Sequence, residues 1–480
     1  MRWADLAIIA AYLAGITWLG TRFRSSQRSL KDYFLGGRDI PWWAIALSIV
    51  SAETSTLTVI GTPVLSFRGN FGFLQVVLGY LLARIAISTL LLPSYFRGEL
   101  FTAYELMRNR FGERIRKLTA GTFLVLRALA EGVRVFAISL VVSIILDTGD
   151  TVSILVILAL TLFYTYEGGM KAVIWTDVAQ MFLYVAGAAL SLAAILHRIP
   201  GGWTAVTAVA GPLGKLQVFD FRWGSAAAFF ARDYSFWAGL LGGCFLTTAS
   251  HGTEQLMVQR LLAAPSERLA RRALLTSWIV VAAQFTLFLI VGVCLFVLYR
   301  QNGWQPPAVM DRLYPLFVWT YLPAGAAGLV MAAILAAAMS NLSAALNALA
   351  STTVIDFLPG RAAGGELGFA RGVTLVWGAI LFGVAMVARN WGSVFEAGLS
   401  IASILYGSLL GVFLLGVLTK RVGQNAAMSG MLAGLAVVLY VKFGTPIAFT
   451  WYVLIGTSAT FFVGLAGSYV FKENANRGNT

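Results

Sequence analysis

The segment SIVSAETSTLT, residues 48–58, places seven polar residues among eleven in the middle of a long apolar stretch. The stretch as a whole, about 41–66, is long enough to cross ~30 Å of hydrocarbon as a helix. Polar side chains in this number cannot face lipid, because nothing there would satisfy their hydrogen bonds. The segment therefore predicts a helix that is interrupted at membrane depth and faces the interior of the protein.

A second interrupted segment, GGCFLTTASHGTEQ at residues 242–255, lies five apolar stretches further along the chain. Carriers built from two inverted repeats of five helices place a discontinuous helix first in each repeat, and its freed carbonyl groups form ion and solute sites. The spacing predicts such repeats at about 41–197 and 234–419. The alternative is that these polar residues only bridge neighbouring helices.

The composition of the chain indicates a membrane protein. Hydrophobic residues make up 59% and charged residues 12% of the 480 residues, and the mean hydropathy is +0.79. A soluble domain does not have this composition. The net charge of +14 is spread over short loops rather than gathered on one basic face, so nucleic acid is not an expected partner.

The hydropathy pattern predicts an all-α polytopic membrane protein with about thirteen transmembrane helices in one domain, residues 1–480. The first span, at 3–21, and the last two, at 425–471, are expected to be peripheral to the repeats. One predicted span, 316–356, is long enough to contain a break. The predicted spans are 3–21, 41–66, 71–96, 118–145, 150–166, 172–197, 234–260, 274–299, 316–356, 369–388, 393–419, 425–443 and 447–471.

The distribution of basic residues predicts the orientation. Lysine and arginine favour cytoplasmic loops, and most of them fall in segments that are cytoplasmic if the N-terminus is outside. The C-terminus is then cytoplasmic. The first span has no small-residue cleavage site and is expected to remain as a span. Cys244 and Cys294 lie within spans and indicate neither a disulfide nor a metal site.

Three motifs occur in order along the chain: YTYEGGMKAVIWTD at 164–177, QLMVQRLLAA at 255–264 and LAAAMSNLS at 335–343. The first joins a Gly-Gly pair, which permits a tight turn, to a Trp-Thr-Asp sequence. Together they resemble the sodium/solute symporter family over nearly the whole chain. The resemblance implies a LeuT-type fold of five plus five inverted helices, sodium as the coupling ion, no cofactor, and a bacterial inner-membrane location.

The third motif contains candidate sodium ligands. Ala337, Ser340 and Asn341 are spaced i, i+3, i+4 and therefore share one helix face. The resemblance implies that the Ala337 carbonyl and the Ser340 hydroxyl bind sodium together with the carbonyl groups of Ser51 and Thr54. The family usually has serine or threonine where this chain has Asn341, whose amide oxygen reaches further. The alternative is that small polar residues only allow close helix packing.

Glu53 lies beside these carbonyl groups, and an ionisable residue at this depth is expected to be functional. It would bind or tune sodium, or allow proton coupling if it is protonated. The resemblance also implies a second sodium site at Asp177, Ser340 and Ser343. Relatives with that site carry a further serine where this chain has Ala344.

The solute site is less defined by sequence. By resemblance, Thr58, Thr247, Ser250 and His251 match solute contacts of the family, and the side chains typical of its sugar carriers are missing there. Arg84 has no partner within its own span, so it would either pair across helices or hold a solute carboxylate bidentately. The sequence thus favours an anionic or zwitterionic solute, such as a carboxylate or amino acid, with a sugar as the alternative.

A group of three charged residues lies at membrane depth in the fourth predicted span. Arg127, Glu131 and Arg134 are spaced i, i+4 and i, i+3, which allows them to neutralise one another on one helix face.

The predicted function is sodium-coupled symport by alternating access, with a small-molecule solute, sodium and the lipid bilayer as partners. The alternatives are proton-coupled symport through Glu53, and a sensor or channel on the same fold. No His-Glu-x-x-His, serine-nucleophile or metal-ligand motif indicates an enzyme.

Overall fold

A computed structural model describes residues 2–21, 38–97, 103–164, 170–357, 366–391 and 393–471. These residues form helices and connecting segments without a β-strand, which confirms the all-α prediction. The predicted Gly168-Gly169 turn lies outside the described residues. The helices are α1 (Trp3–Thr21), α2 (Trp42–Glu53), α3 (Thr56–Arg68), α4 (Leu74–Phe96), α5 (Ala103–Phe111), α6 (Glu113–Leu146), α7 (Asp150–Tyr164), α8 (Met170–Arg198), α9 (Gly202–Ala210), α10 (Ala226–Phe230), α11 (Phe236–Gly252), α12 (Gln255–Leu262), α13 (Glu267–Gln301), α14 (Leu313–Tyr321), α15 (Ala326–Thr352), α16 (Glu366–Ala388), α17 (Val394–Leu418), α18 (Gln424–Gly444) and α19 (Tyr452–Val470).

Among the described residues, seven helices are long and apolar enough to cross a membrane by themselves. They are α4, α6, α8 over Val173–Arg198, α13, α17, α18, and α19 with the preceding turn, Phe449–Val470. The pair α2 and α3 passes the same test when it is taken as one bent span. The total of thirteen spans remains a prediction.

Both predicted interruptions are confirmed as helix breaks. α2 ends at Glu53 and α3 begins at Thr56, and the two halves meet at an angle of 64°. The second break lies between α11, which ends at Gly252, and α12, which begins at Gln255. Each break lies within the polar segment that predicted it, at residues 48–58 and 242–255.

The predicted span 316–356 is divided into two helices. α14 ends at Tyr321 and α15 begins at Ala326. Pro323 lies between them and has no N–H to continue a helix. Gly325 adopts a φ of +89°, a conformation that favours glycine. These two residues separate α15, which carries the third motif, from the preceding apolar segment.

Small residues bring α4 and α11 close together. A Cβ atom at Gly79 would come within 2.4 Å of the Leu240 carbonyl oxygen, and one at Gly243 within 2.3 Å of the Val76 carbonyl oxygen. Close approach of this kind is how helices pack in membranes, where apolar area alone gives little attraction between them. α13 packs along both α2 and α3, and α15 packs against α6, α8 and α3. The first break is therefore at the centre of the bundle.

The first helix is attached to the N-terminal end of α15. The carboxylate of Asp5, which is fully buried, accepts hydrogen bonds from the backbone N–H groups of Gly325 and Gly328, both at 2.7 Å. Arg2 pairs with the same carboxylate at 2.9 Å. An anionic cap stabilises a helix N-terminus by satisfying donors that have no partner within the helix.

A lysine in the segment between α9 and α10 holds the end of α3 that is remote from the break. Lys215 Nζ donates to the carbonyl oxygens of Phe67 at 2.6 Å and Gly69 at 3.1 Å. The ammonium also lies 4.0 Å from the centroid of the Phe296 ring. Burial lowers the pKa of Lys215. A cation at a helix C-terminus complements the partial negative charge there.

Candidate solute and cation sites

The first break exposes backbone oxygens inside the bundle. The Thr54 N–H donates to Val50 O at 2.9 Å, and the helical pattern resumes with Thr58 N–H and Val59 N–H, which donate to Ser55 O at 2.9 and 3.2 Å. The last carbonyl groups of a helix have no partner within it. Ser51 and Thr54, the predicted source of sodium-binding carbonyls, are buried at this point. The break can therefore offer oxygen ligands away from lipid.

The other predicted sodium ligands belong to α15. The backbone of Ala337 and Ser340 is helical, whereas their side chains lie outside the described part of the chain. Asn341 is buried and lines the same central cavity as Glu53 and Ser55. The structure thus brings Asn341 to the first break, while the complete ligand set remains a prediction.

The central cavity has a volume of about 130 Å³ and lies between the two breaks. Four residues predicted to contact solute line it: Thr58, Thr247, Ser250 and His251. Apolar side chains, including Phe285 and Phe395, complete its wall. A few polar groups in a largely apolar wall are the usual composition of a small-molecule site.

Arg84 is not among the residues that line the cavity. It is fully buried, and its guanidinium donates to Glu53 Oε2 at 2.6 Å, Ser277 Oγ at 3.0 Å and Tyr80 O at 3.3 Å. Of the two arrangements predicted for Arg84, pairing across helices is the one observed. The ion pair stabilises Glu53 as a carboxylate beside the first break.

His251 joins this group from α11. Its Nε2 lies 3.4 Å from Glu53 Oε2, and its Nδ1 lies 2.9 Å from Ser250 Oγ. A residue of the second broken helix therefore contacts the carboxylate at the first break.

The predicted neutralisation among Arg127, Glu131 and Arg134 is confirmed. Arg127 Nη2 lies 2.8 Å from Glu131 Oε1, and Arg134 Nη1 donates to the same oxygen. The sequence interpretation missed Glu254, which lies in the second break and accepts from Arg127 Nη1 at 2.7 Å. It also missed Tyr406, which donates to Glu254 Oε2 at 2.5 Å. The sequence signal was available, since two arginines and one glutamate leave a positive charge unbalanced at membrane depth.

Arg134 differs from Arg127 and Arg84, whose side chains are buried. Its side chain is 26% exposed, compared with 5% for Arg127 and 0% for Arg84. Both Arg134 and Arg127 line the central cavity, and the Nε atom of each is buried without a hydrogen-bond partner. The described bonds of Arg134 account for one guanidinium nitrogen only. Arg134 therefore combines a place in the cavity wall with a partly exposed side chain, whereas Arg127 and Arg84 are buried.

Asp177 of α8 forms an ion pair with Arg260 of α12. Its Oδ2 accepts from Arg260 Nη2 at 3.0 Å and from Ser48 Oγ at 2.6 Å, and Arg260 Nε donates to the same serine at 3.0 Å. Arg260 belongs to α12, so this group connects both broken helices to α8. A second sodium ion bound by Asp177 and Ser343 would share the Asp177 carboxylate with Arg260.

Two broken helices around a central cavity lined by ion-paired residues define a membrane carrier of the secondary-transporter class. The chain belongs to the sodium:solute symporter family, whose model matches residues 33–434. It is a sodium-coupled symporter of a small organic solute.

Three comparisons support this assignment. The chain is 28% identical to the sodium/sialic acid symporter NanT of Aliivibrio fischeri, over 97% of this chain and 93% of the relative. It is 28% identical to mouse sodium-coupled monocarboxylate transporter 2, over 92% and 72%. A solved structure of a Na+-coupled sialic acid symporter, substrate-bound and outward-open, matches 98% of both chains with a TM-score of 0.84 and 26% identity.

Proposed function

We propose that the solute is an organic anion whose carboxylate binds Arg134 in the central cavity. The observation that carries this proposal is the Arg134 side chain, which lines the cavity and is partly exposed there, unlike the buried Arg127. Guanidinium groups bind carboxylates through paired, charge-assisted hydrogen bonds. The relatives named for sialic acid and monocarboxylates carry solutes of this chemical class.

The neighbouring charges support Arg134 over the other arginines. Arg84 is committed to Glu53, and Arg127 is shared between Glu131 and Glu254. Thr58, Thr247 and Ser250 would then bind the hydroxyl or amide groups of the solute. A carboxylated sugar such as sialic acid and a simple monocarboxylate are the first solutes to test. A neutral sugar would leave the arginine without a counter-charge.

The sodium ion is proposed to bind at the first break. Its ligands would be the carbonyl groups of Ser51, Thr54 and Ala337, the Ser340 hydroxyl and the Asn341 amide oxygen. Glu53 would tune the site through its negative charge. Its 2.6 Å pair with Arg84 favours a permanent carboxylate, which argues against Glu53 as a proton carrier.

The proposed mechanism is alternating access between inverted repeats at about 41–197 and 234–419. The two breaks would be the flexible points, and sodium would hold α2 and α3 against α15 while the solute binds. The proposed setting is a bacterial inner membrane, with the N-terminus outside and the C-terminus cytoplasmic. Span 3–21 and the last two spans would be peripheral to this single domain.

The sodium site is tested by Ser340→Ala. Hydrogen bonds or ligand contacts to a charged group contribute ~1.5–3 kcal/mol, so the half-saturating sodium concentration for uptake should rise about tenfold or more. Uptake is measured in proteoliposomes over a sodium series, with choline as the replacement ion. Ser139→Ala is the matched control, since this buried serine of α6 only donates to its own helix, at Phe136 O. Unchanged sodium dependence of Ser340→Ala would exclude Ser340 as a ligand.

A further inference from the structure

Gln284 of α13 lies against the first break and has no role in the sites described above. It is buried, with 3% of its surface exposed. Its Nε2 donates to Thr54 Oγ1 at 2.6 Å. The residue is therefore attached directly to the backbone segment that separates α2 from α3.

The orientation of the Gln284 amide follows from the proton of Thr54. The Thr54 hydroxyl donates its single proton to Val50 O at 2.8 Å, so towards Gln284 it can only accept. The amide must turn its NH₂ group to Thr54. Gln284 Oε1 then points away from that bond, and it is buried without a hydrogen-bond partner.

Two other side-chain oxygens at the break are also buried. Thr56 Oγ1 and the Tyr184 hydroxyl are also buried without a hydrogen bond of regular geometry. The Tyr184 hydroxyl lies beside Ser51 and Thr54, on the helix α8 that packs against both α2 and α13. Buried polar atoms in folded proteins are nearly always satisfied, by protein, water or an ion. An amide oxygen beside freed carbonyl groups suits a hard cation, which takes oxygen ligands.

We propose that Gln284 Oε1 is a further ligand of the sodium ion at the first break. This inference rests on the proposed sodium site and adds a ligand from α13. Because Gln284 Nε2 holds Thr54 while Oε1 binds the ion, sodium would tie the break to α13 as well as to α15. Without a bound ion, Gln284 Oε1 would have no partner at the break.

The test measures sodium binding in the absence of solute, on the full chain in lipid nanodiscs, by displacement of ²²Na⁺ with unlabelled sodium. Gln284→Leu, which removes the oxygen, should raise the half-saturating sodium concentration at least about tenfold. Gln284→Glu, which keeps an oxygen and adds a negative charge, should lower it. Gln75→Leu is the control, since that buried glutamine has its amide hydrogen-bonded at both ends and should leave sodium binding unchanged.

The two Gln284 variants together decide the role of the residue. If Gln284 only positioned Thr54, the glutamate would also lose the donor to Thr54, and both variants would weaken sodium binding. If Oε1 bound only a water molecule, Gln284→Leu would leave sodium binding unchanged, although the negative charge of the glutamate would still attract the ion. Either result overturns the inference, and should Gln284→Leu fail to fold, Gln284→Met, which is similar in length and also lacks the amide oxygen, takes its place. Absence of sodium binding by the unmodified chain would instead refute the proposed sodium site itself.

Discussion

Arg134→Gln is expected to reduce the apparent affinity for a carboxylate solute by at least about 30-fold. Truncating one partner of a buried, hydrogen-bonded charge pair costs ~2–5 kcal/mol, which corresponds to roughly 30- to several-thousand-fold in affinity. Arg134→Lys should retain part of the binding, because it keeps the charge but loses the planar fork. The measurement is saturation of solute uptake in proteoliposomes at fixed, saturating sodium.

The control for this prediction is Arg116→Gln. Arg116 lies on the same helix, three residues after Glu113, with 3.3 Å between the charged groups, which matches the spacing of Glu131 and Arg134. It does not line the cavity, so its loss should leave solute affinity unchanged. Because Arg127 still neutralises Glu131 when Arg134 is replaced, the protein should remain folded. Equal affinity for Arg134→Gln and the unmodified chain would contradict the proposed carboxylate site.

The second large effect is expected at the buried pair of Arg84 and Glu53. Arg84→Leu leaves Glu53 without a counter-charge beside the first break, and Glu53→Leu leaves the fully buried Arg84 unpaired. Removing one partner of a buried ion pair costs ~3–5 kcal/mol, whereas replacing both by apolar residues is often close to neutral. Each single variant should therefore lower the unfolding temperature strongly, and the double variant should recover most of the loss.

Thermal unfolding in lipid nanodiscs measures this double-mutant cycle. The control pair is Arg271 and Glu267, which are 44% and 36% exposed and 2.7 Å apart. An exposed pair contributes ~0–1 kcal/mol, so the same substitutions there should have little effect. Additive losses in the double variant of Arg84 and Glu53 would show that the two residues stabilise the protein independently.

Much of the fold could be predicted because its main features are local in sequence. The polar density of residues 48–58 and 242–255 located both breaks, and the spacing of Arg127, Glu131 and Arg134 predicted their pairing. The division of the segment 316–356 was also detectable, since Pro323 and Gly325 are helix-ending residues. These signals act within a few residues, where propensity and spacing are reliable.

The cavity-facing arginine could not be predicted in the same way. Which arginine is exposed in the cavity depends on partners that are distant in sequence: Glu53 pairs with Arg84, and Glu254 pairs with Arg127. These pairings depend on how each helix is rotated about its own axis in the folded bundle. The hydropathy pattern does not predict that rotation. The sequence therefore left Arg84 with either a partner on another helix or a solute carboxylate, whereas the structure places Arg134 in the cavity wall.

The most direct test of the account is concentrative uptake in proteoliposomes under an imposed inward sodium gradient. A panel of radiolabelled carboxylates is compared with the corresponding amides, and sodium is replaced in turn by potassium and choline. The account predicts that at least one carboxylate accumulates above its external concentration with sodium alone, and that its amide does not. Equal uptake in choline, accumulation driven by a proton gradient, or equal transport of the amide would contradict sodium-coupled symport of an organic anion.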